Sequence, residues 1–313
     1  MGETDTATIT ARVTITNAST EPLDGVLRAE AFDQDSGLPA LSPPPSSPIS
    51  LPPGKSIELP LAATLAQPKL WHFDHPHLSP WIAPLHAVDG QALHSAEVTF
   101  GVRLVELRDA RLYRNGEPVR LVGITRHADS PEHGLAEPIT VMVADYTDLK
   151  TLNAVLSRPV HYPQDDFILD YADRHGILLI PETPAWQLTG AQMADPRMRG
   201  LARQQLREMI TSHFNHPAVW AWSVGNEIAS NTAAGHDFIQ AMIAFAKSLD
   251  PTRPVGFASN LLNKSLWVDA TAYTDFVLMN QYFGTSGLPD THQFHDGYRR
   301  CEAKSAWFVG SAA

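Results

Sequence analysis

From Leu121 onward the chain alternates short apolar runs with amphipathic segments, a rhythm that few folds accommodate. The runs are "LVGITRH", "AVLSRPV", "GILLIPE", "VWAWSVGNE", "PVGFASN" and "FVLMNQY". None alternates polar with apolar residues, so each reads as a strand covered on both faces, and strands of that kind belong to parallel sheets. The intervening segments have helical spacing. "DDFILDYADRHG" puts Phe167, Ile168, Tyr171 and Ala172 on one face and stops at Gly176. "GLARQQLREMITSHFNHP" groups Leu206, Met209, Ile210 and Phe214 ahead of Pro217, and "HDFIQAMIAFAKSLDPTRP" groups Phe238, Ile239, Met242, Ile243, Ala246 and Leu249. Repeats of this type fit either an open doubly wound sheet or part of an eight-stranded barrel. No G-x-G-x-x-G follows the first strand and no Walker pattern occurs, which counts against nucleotide binding.

The ends of the runs favour the barrel. His127 closes the first, Arg158 and His161 the second, Glu182 the third, Asn226 and Glu227 the fourth, Asn260 the fifth and Tyr282 the sixth. In a parallel barrel these ends open on one face, where catalysis takes place. A single strand-end Glu is usually a cap or an ion-pair partner, whereas a polar group at every end points to a pocket for a polar ligand. His213 and His216 read as helix termination rather than chemistry.

The first 107 residues have a different style. "ATITARVTITNAS" alternates Thr8, Thr10, Arg12 and Thr14 with Ile9, Ala11, Val13 and Ile15. "GVLRAEAF", "SIELPLAATL" and "HSAEVTFGVRLVEL" follow between turn signals, and together they predict a β-sandwich. The proline-rich "LPALSPPPSSPISLPPGKS" is expected to be a surface loop. "RLYRNGEPVRLVG" carries Asn115-Gly116 at the position of a hairpin turn. The expected domains are therefore 1–107 and 108–313.

Bulk properties narrow the partners. A net charge of -11 argues against nucleic acid and anionic membrane, which need clustered Lys and Arg. No apolar run approaches a membrane span. Cys301 is the one cysteine, which excludes an internal disulfide and a cysteine zinc site. The opening "MGETDTATIT" is polar and acidic, unlike a signal peptide, so a cytoplasmic location is favoured.

The polar set suits cleavage of a glycosidic bond. A sugar ring needs many hydrogen bonds, and Asn, Arg, His and Tyr supply them. The acetal needs an acid for the leaving oxygen and a carboxylate to meet the developing positive charge. Glu227 is the expected acid, and the aromatic strand "AVWAWSV" before it is expected to form the poorly solvated wall that keeps a carboxyl protonated.

Several stretches resemble glycoside hydrolase family 2, the β-galactosidase, β-glucuronidase and β-mannosidase group. They are "PKLWHFDHPHL", "FGVRLVEL", "RNGEPVRLVGITRHAD", "LSRPVHYP", "NQYFG" and above all "FNHPAVWAWSVGNE", which is similar to the family's acid/base signature. The resemblance implies an immunoglobulin-like β-sandwich followed by a TIM (β/α)8 barrel, here incomplete with about six strands. It implies Glu227 as general acid/base, Asn226 on the sugar 2-hydroxyl, and His127 and His161 on ring hydroxyls. Arg158 and Glu182 would shape the pocket floor, and Tyr282 would bond the nucleophile. Trp186 is either a sugar-stacking platform or a packing residue. The expected substrate is an oligosaccharide or β-glycoside; a homo-oligomer is left open.

Departures set further expectations. Thr125 stands where the family usually has Asn, and Ala128 where Glu is common. The third strand ends "PETPAWQ", without the Glu/His pattern that binds magnesium in some β-galactosidases, so no metal and no cofactor are expected. A retaining mechanism needs a second Glu at the end of strand seven, yet the carboxylates after Tyr282 are Asp290, Asp296 and Glu302, none in a matching context. Strands seven and eight, and the jelly-roll domain that precedes the sandwich in the family, are expected to be missing. Two readings follow: a retaining β-glycosidase of which this chain is a part, with little turnover alone, or a non-catalytic remnant that binds saccharide weakly. A family-5-like endoglucanase also places Asn-Glu after strand four, but the preceding sandwich and "PKLW" disfavour it.

Overall fold

The computed structural model describes residues 6–33, 36–41, 44–109, 111–261 and 268–280, together with the backbone of 306–307. The chain divides into two compact units, Met1–Arg103 and Leu104–Ala313.

The first unit is a β-sandwich. β1 (Thr6–Thr16) pairs antiparallel with β5 (Ser56–Ala66) along its whole length. β2 (Leu23–Arg28), β3 (Glu30–Ala31), β4 (Ser46–Leu51) and β6 (Ser79–Ala87) form the second sheet in the order β3-β6-β2-β4, and β7 (Ala92–Phe100) pairs with β6. The period-two pattern of β1 turns Ile9, Val13 and Ile15 inward onto Leu27, Leu61, Leu65 and Trp81. The proline-rich segment is not wholly a loop. Ser46–Leu51 forms β4 with Ile49 and Leu51 buried. Its position at the end of the sheet order explains why Pro48, which has no N–H to donate, is tolerated there.

The second unit opens with β8 (Val105–Arg108), β9 (Arg111–Arg114) and β10 (Glu117–Val119), an antiparallel sheet in the order β10-β9-β8. Asn115 and Gly116 take φ of 51° and 82°, the paired positive values a tight hairpin turn requires. The run read as one strand, "HSAEVTFGVRLVEL", is thus divided between β7 and β8.

Parallel strands and helices follow: β11 (Gly123–His127), α1 (Ile139–Thr151), β12 (Leu156–Val160), α2 (Asp166–His175), β13 (Leu178–Leu179), α3 (Gly190–Ala194), α4 (Pro196–His213), β14 (Trp222–Asn226), α5 (Ala233–Leu249), β15 (Val255–Ser259) and β16 (Val277–Met279). β11-β12-β13 and β14-β15-β16 are parallel throughout, and bridges Leu179–Val219 and Glu182–Ser223 join the two sets. A further short strand, β17 (Ala306–Trp307), pairs parallel with β16, so a seventh strand is present where none was expected. The arc is an incomplete (β/α)8 barrel. Residues Trp222–Asn226 and Val255–Ser259 are buried without exception, as a strand between two layers must be. Helix ends follow ordinary capping chemistry. Asp165 accepts the Phe167 N–H at 2.9 Å to start α2, and Gly176 ends it in the left-handed conformation at φ 65°.

Candidate active site

The backbone at the end of β14 is what aims the central residues. Its pairing with β15 slips register between Ser223 and Asn226, the signature of a bulge, a device that re-aims side chains. Gly225 sits so close to the neighbouring loop that a Cβ would lie 2.9 Å from the Ala185 carbonyl oxygen. Asn226 N–H donates to that same oxygen at 2.9 Å, and Gln187 N–H donates to the Asn226 carbonyl at 2.9 Å. Glu227 then takes a left-handed φ of 49° while its N–H donates to the Ala258 carbonyl at 2.8 Å. The chain turns out of the sheet at 227, and its carboxyl leaves the buried layer half-exposed.

Side chains from five strand ends form one connected group. Arg158 Nη2 donates to Glu182 Oε2 at 2.6 Å and to Asn226 Oδ1 at 2.7 Å, and its Nε reaches Glu182 Oε2 at 3.2 Å. Ser223 Oγ donates to the same Glu182 oxygen at 2.6 Å. His161 Nδ1 meets Glu182 Oε1 at 2.5 Å. Asn280 Nδ2 uses its two hydrogens on Asn226 Oδ1 at 2.9 Å and Glu227 Oε1 at 2.7 Å. The His161 ring lies edge-on to His127, with centroids 5.4 Å apart, and stacks on Trp186 at 5.1 Å and 18°.

Charge and hydrogen bonding fix the chemical state of much of this group. Burial alone would push the Glu182 carboxyl up. The Arg158 charge and the hydrogen bonds from His161 and Ser223 outweigh it and hold the group below the usual carboxylate range. An ionised Glu182 makes His161 Nδ1 the protonated ring nitrogen, which leaves the Nε2 of a neutral ring as an acceptor. Asn226 Oδ1 takes two donors, so its Nδ2 is the edge turned elsewhere and is available as a donor. Glu182 has no exposed surface and both oxygens are bonded within the protein. Its oxygens are taken up by Arg158, Ser223 and His161.

The residues expected from the sequence are thereby located. Glu227, Asn226, Arg158, Glu182, His161, His127 and Trp186 share the group; His127 is exposed and Trp186 is 51% exposed. Tyr282 lies outside the described residues. Asn280 and Ser223 were not singled out, although Asn280 opens the stretch "NQYFG" and Ser223 lies within the acid/base stretch. The aromatic wall is corrected. Trp222 Nε1 donates to Asp250 Oδ2 at 2.9 Å, and the Trp220 ring packs on Phe276 at 5.0 Å. Both tryptophans are core residues with partners of their own, and the group bonded to Glu227 is Asn280.

Among the described residues, Asp170, Asp173 and His216 bring ligand-type atoms within 4.8 Å of one another. This trio lies at the N-terminal end of β14, where Asp173 accepts the Ala218 N–H at 2.9 Å and meets His216 Nδ1 at 2.6 Å.

Residues 105–302 match the family profile described as the TIM barrel domain of glycosyl hydrolases family 2, and residues 2–103 match that of glycosyl hydrolases family 2. The chain belongs to glycoside hydrolase family 2. Within the family it is 35% identical over 212 residues to a β-galactosidase of Thermoanaerobacter pseudethanolicus, covering 67% of this chain and 28% of that protein. It is 33% identical over 184 residues to human β-glucuronidase, covering 58% of this chain and 28% of that protein. The chain thus spans less than a third of the length of these family 2 relatives. A β-galacturonidase of Eisenbergiella tayi superposes with a TM-score of 0.83 at 28% identity, over 96% of this chain and 52% of that one. A Bacteroides uniformis β-glucuronidase superposes with a TM-score of 0.86 at 25% identity, over 95% of this chain and 36% of that one.

Proposed function

We propose that the strand-end group serves hydrolysis of a terminal β-glycosidic bond by a retaining two-carboxylate mechanism, with Glu227 as acid/base. The observation that carries this is the shared hold of Asn280 on Asn226 and Glu227, which fixes an amide donor beside a half-exposed carboxyl. Glu227 Oε1 accepts from Asn280, so the transferable proton belongs on Oε2. In the first step that proton passes to the glycosidic oxygen as the C–O bond breaks, and a second carboxylate bonds to the anomeric carbon. In the next, water attacks that carbon, Glu227 takes the water's proton, and the second carboxylate leaves. Asn226 Nδ2 donates to a ring hydroxyl, His161 Nε2 accepts from one, and His127 lines the exposed side. Arg158 and Glu182 act beneath them as positioning residues. Retention requires the second carboxylate about 5–5.5 Å from Glu227.

The proposal is tested by titrating nitrophenyl β-galactoside, β-glucuronide and β-mannoside into the 313-residue chain and following nitrophenol release. The expected result is binding of one series, weakened by Asn226→Ala, with any release lost in Glu227→Gln. Release that survives Glu227→Gln refutes Glu227 as the acid/base. Binding in no series, with no release, refutes the glycoside site.

A further inference from the structure

Trp186 is unlike the other described tryptophans. Trp71, Trp81, Trp220 and Trp222 are each 4% exposed or less, whereas Trp186 is 51% exposed. Exposure of so large an apolar ring forgoes burial free energy, roughly 25 cal/mol for each Å² left in water. It is also held in place. One indole face rests on the His161 ring at 5.1 Å and 18°, and His161 is fixed in turn by Glu182 at 2.5 Å. Its backbone bridges in parallel to Asn226, and its N–H donates to the Pro184 carbonyl at 2.9 Å. With one face taken by His161, an exposure of 51% leaves much of the rest of the side chain to solvent. A preorganised aromatic ring binds with little further ordering cost.

The division of chemistry across the group says what that face takes. Asn226, 2% exposed and held by Arg158, keeps an amide edge for hydrogen bonding, and His161 a ring nitrogen, which suits a hydroxyl-bearing ring seated deep. Trp186 lies at the exposed side and offers a flat apolar surface. In attack on a terminal sugar, the departing group is the part of the substrate that faces outward. We propose that the free face of Trp186 is a platform for the departing group, the aglycone, and that it selects β-glycosides whose aglycone has a flat apolar face, either an aryl ring or the apolar side of a second sugar. This deepens the glycosidase reading and rests on it.

The test is calorimetric titration of the full chain with matched ligands in the galactose, glucuronic acid and mannose series: the methyl β-glycoside, the 4-nitrophenyl β-glycoside, and a disaccharide with the same terminal sugar. Stacking predicts that an aglycone with a flat face tightens binding about two- to tenfold over methyl. That ratio falls to near one in Trp186→Ala and persists in Trp186→Phe. The aryl and disaccharide arms show which source of the flat face is used. A ratio near one in both arms of the unmodified chain overturns the platform, as does a ratio that survives in Trp186→Ala. Either result leaves the glycosidase reading standing. Binding in no series overturns that reading and the platform with it.

Discussion

The two ends of the parallel strands both bury charge, but they use it differently. At the N-terminal end the groups close upon one another. Arg253 donates to Asp250 at 2.7 Å and to the carbonyls of Val219, Phe214 and His216 at 2.7, 2.8 and 2.8 Å. Asp250 also accepts from Trp222 and Thr252, and Asp173 is taken up by His216 and Ala218. At the C-terminal end the same kind of network, Arg158 with Glu182, Ser223 and Asn226, leaves an amide edge, an imidazole nitrogen and one carboxyl oxygen directed away from it. Buried ion pairs alone therefore do not mark a site. Unspent bonding capacity at the margin of such a network does.

The sharpest way to break this comparison is to cut each network at its arginine. Arg253→Met leaves Asp250 buried without its cation, and a loss of about 3–5 kcal/mol is expected in urea unfolding. Arg158→Met should cost a similar amount and should also abolish glycoside binding, because Asn226 loses one of the two donors that set its amide. Equal effects of both variants on binding would erase the distinction between the ends.

Acid separates the two ends next. Burial, helped by the neighbouring His216, holds His213 down to about 4, below its unfolded value of about 6.5. The unfolded chain then binds the extra proton in that window, so stability is full above about pH 6.5 and falls toward pH 4, by up to about 3 kcal/mol. Glu182 has the carboxylate sign. Its contribution is full above the ordinary carboxylate value and is lost only as pH falls through its lower folded value. Urea unfolding across pH should show two declines, and His213→Gln should remove the upper one alone. The smallest effect is expected at Asn280. Asn280→Ala removes a hydrogen bond to a carboxyl, worth about 1.5–3 kcal/mol where the acceptor is charged. Its signature should be a larger fractional loss of glycoside affinity than of stability.

Much of this was legible in the sequence, for identifiable reasons. Glu227 showed itself because a strand with no alternation ended on a carboxylate. β14 and β15 showed themselves because strands buried on both faces carry small and apolar residues without alternation. Asn280 did not, because its meaning lies in two partners 53 and 54 residues away on another strand. α1 was not read as a helix: its first turns carry Ile139, Thr140, Val141 and Val143, β-branched residues with low helix propensity, while Met142, Tyr146 and Leu149 make the buried stripe. β4 was obscured by prolines that an edge position tolerates, and β17 by a paired length of two residues. The tryptophans of "AVWAWSV" were given to the pocket because sequence does not say which layer a barrel side chain enters.

The left-handed turn at position 227 carries a corollary. With φ at 49°, this is a place where asparagine or glycine sits more comfortably than glutamate. Glu227→Asn should relax the backbone there while giving up the hydrogen bond from Asn280, two effects of opposite sign, so its melting temperature should fall less than that of Glu227→Ala. What the bend gives in exchange is a carboxyl turned out of the sheet and held beside Asn280.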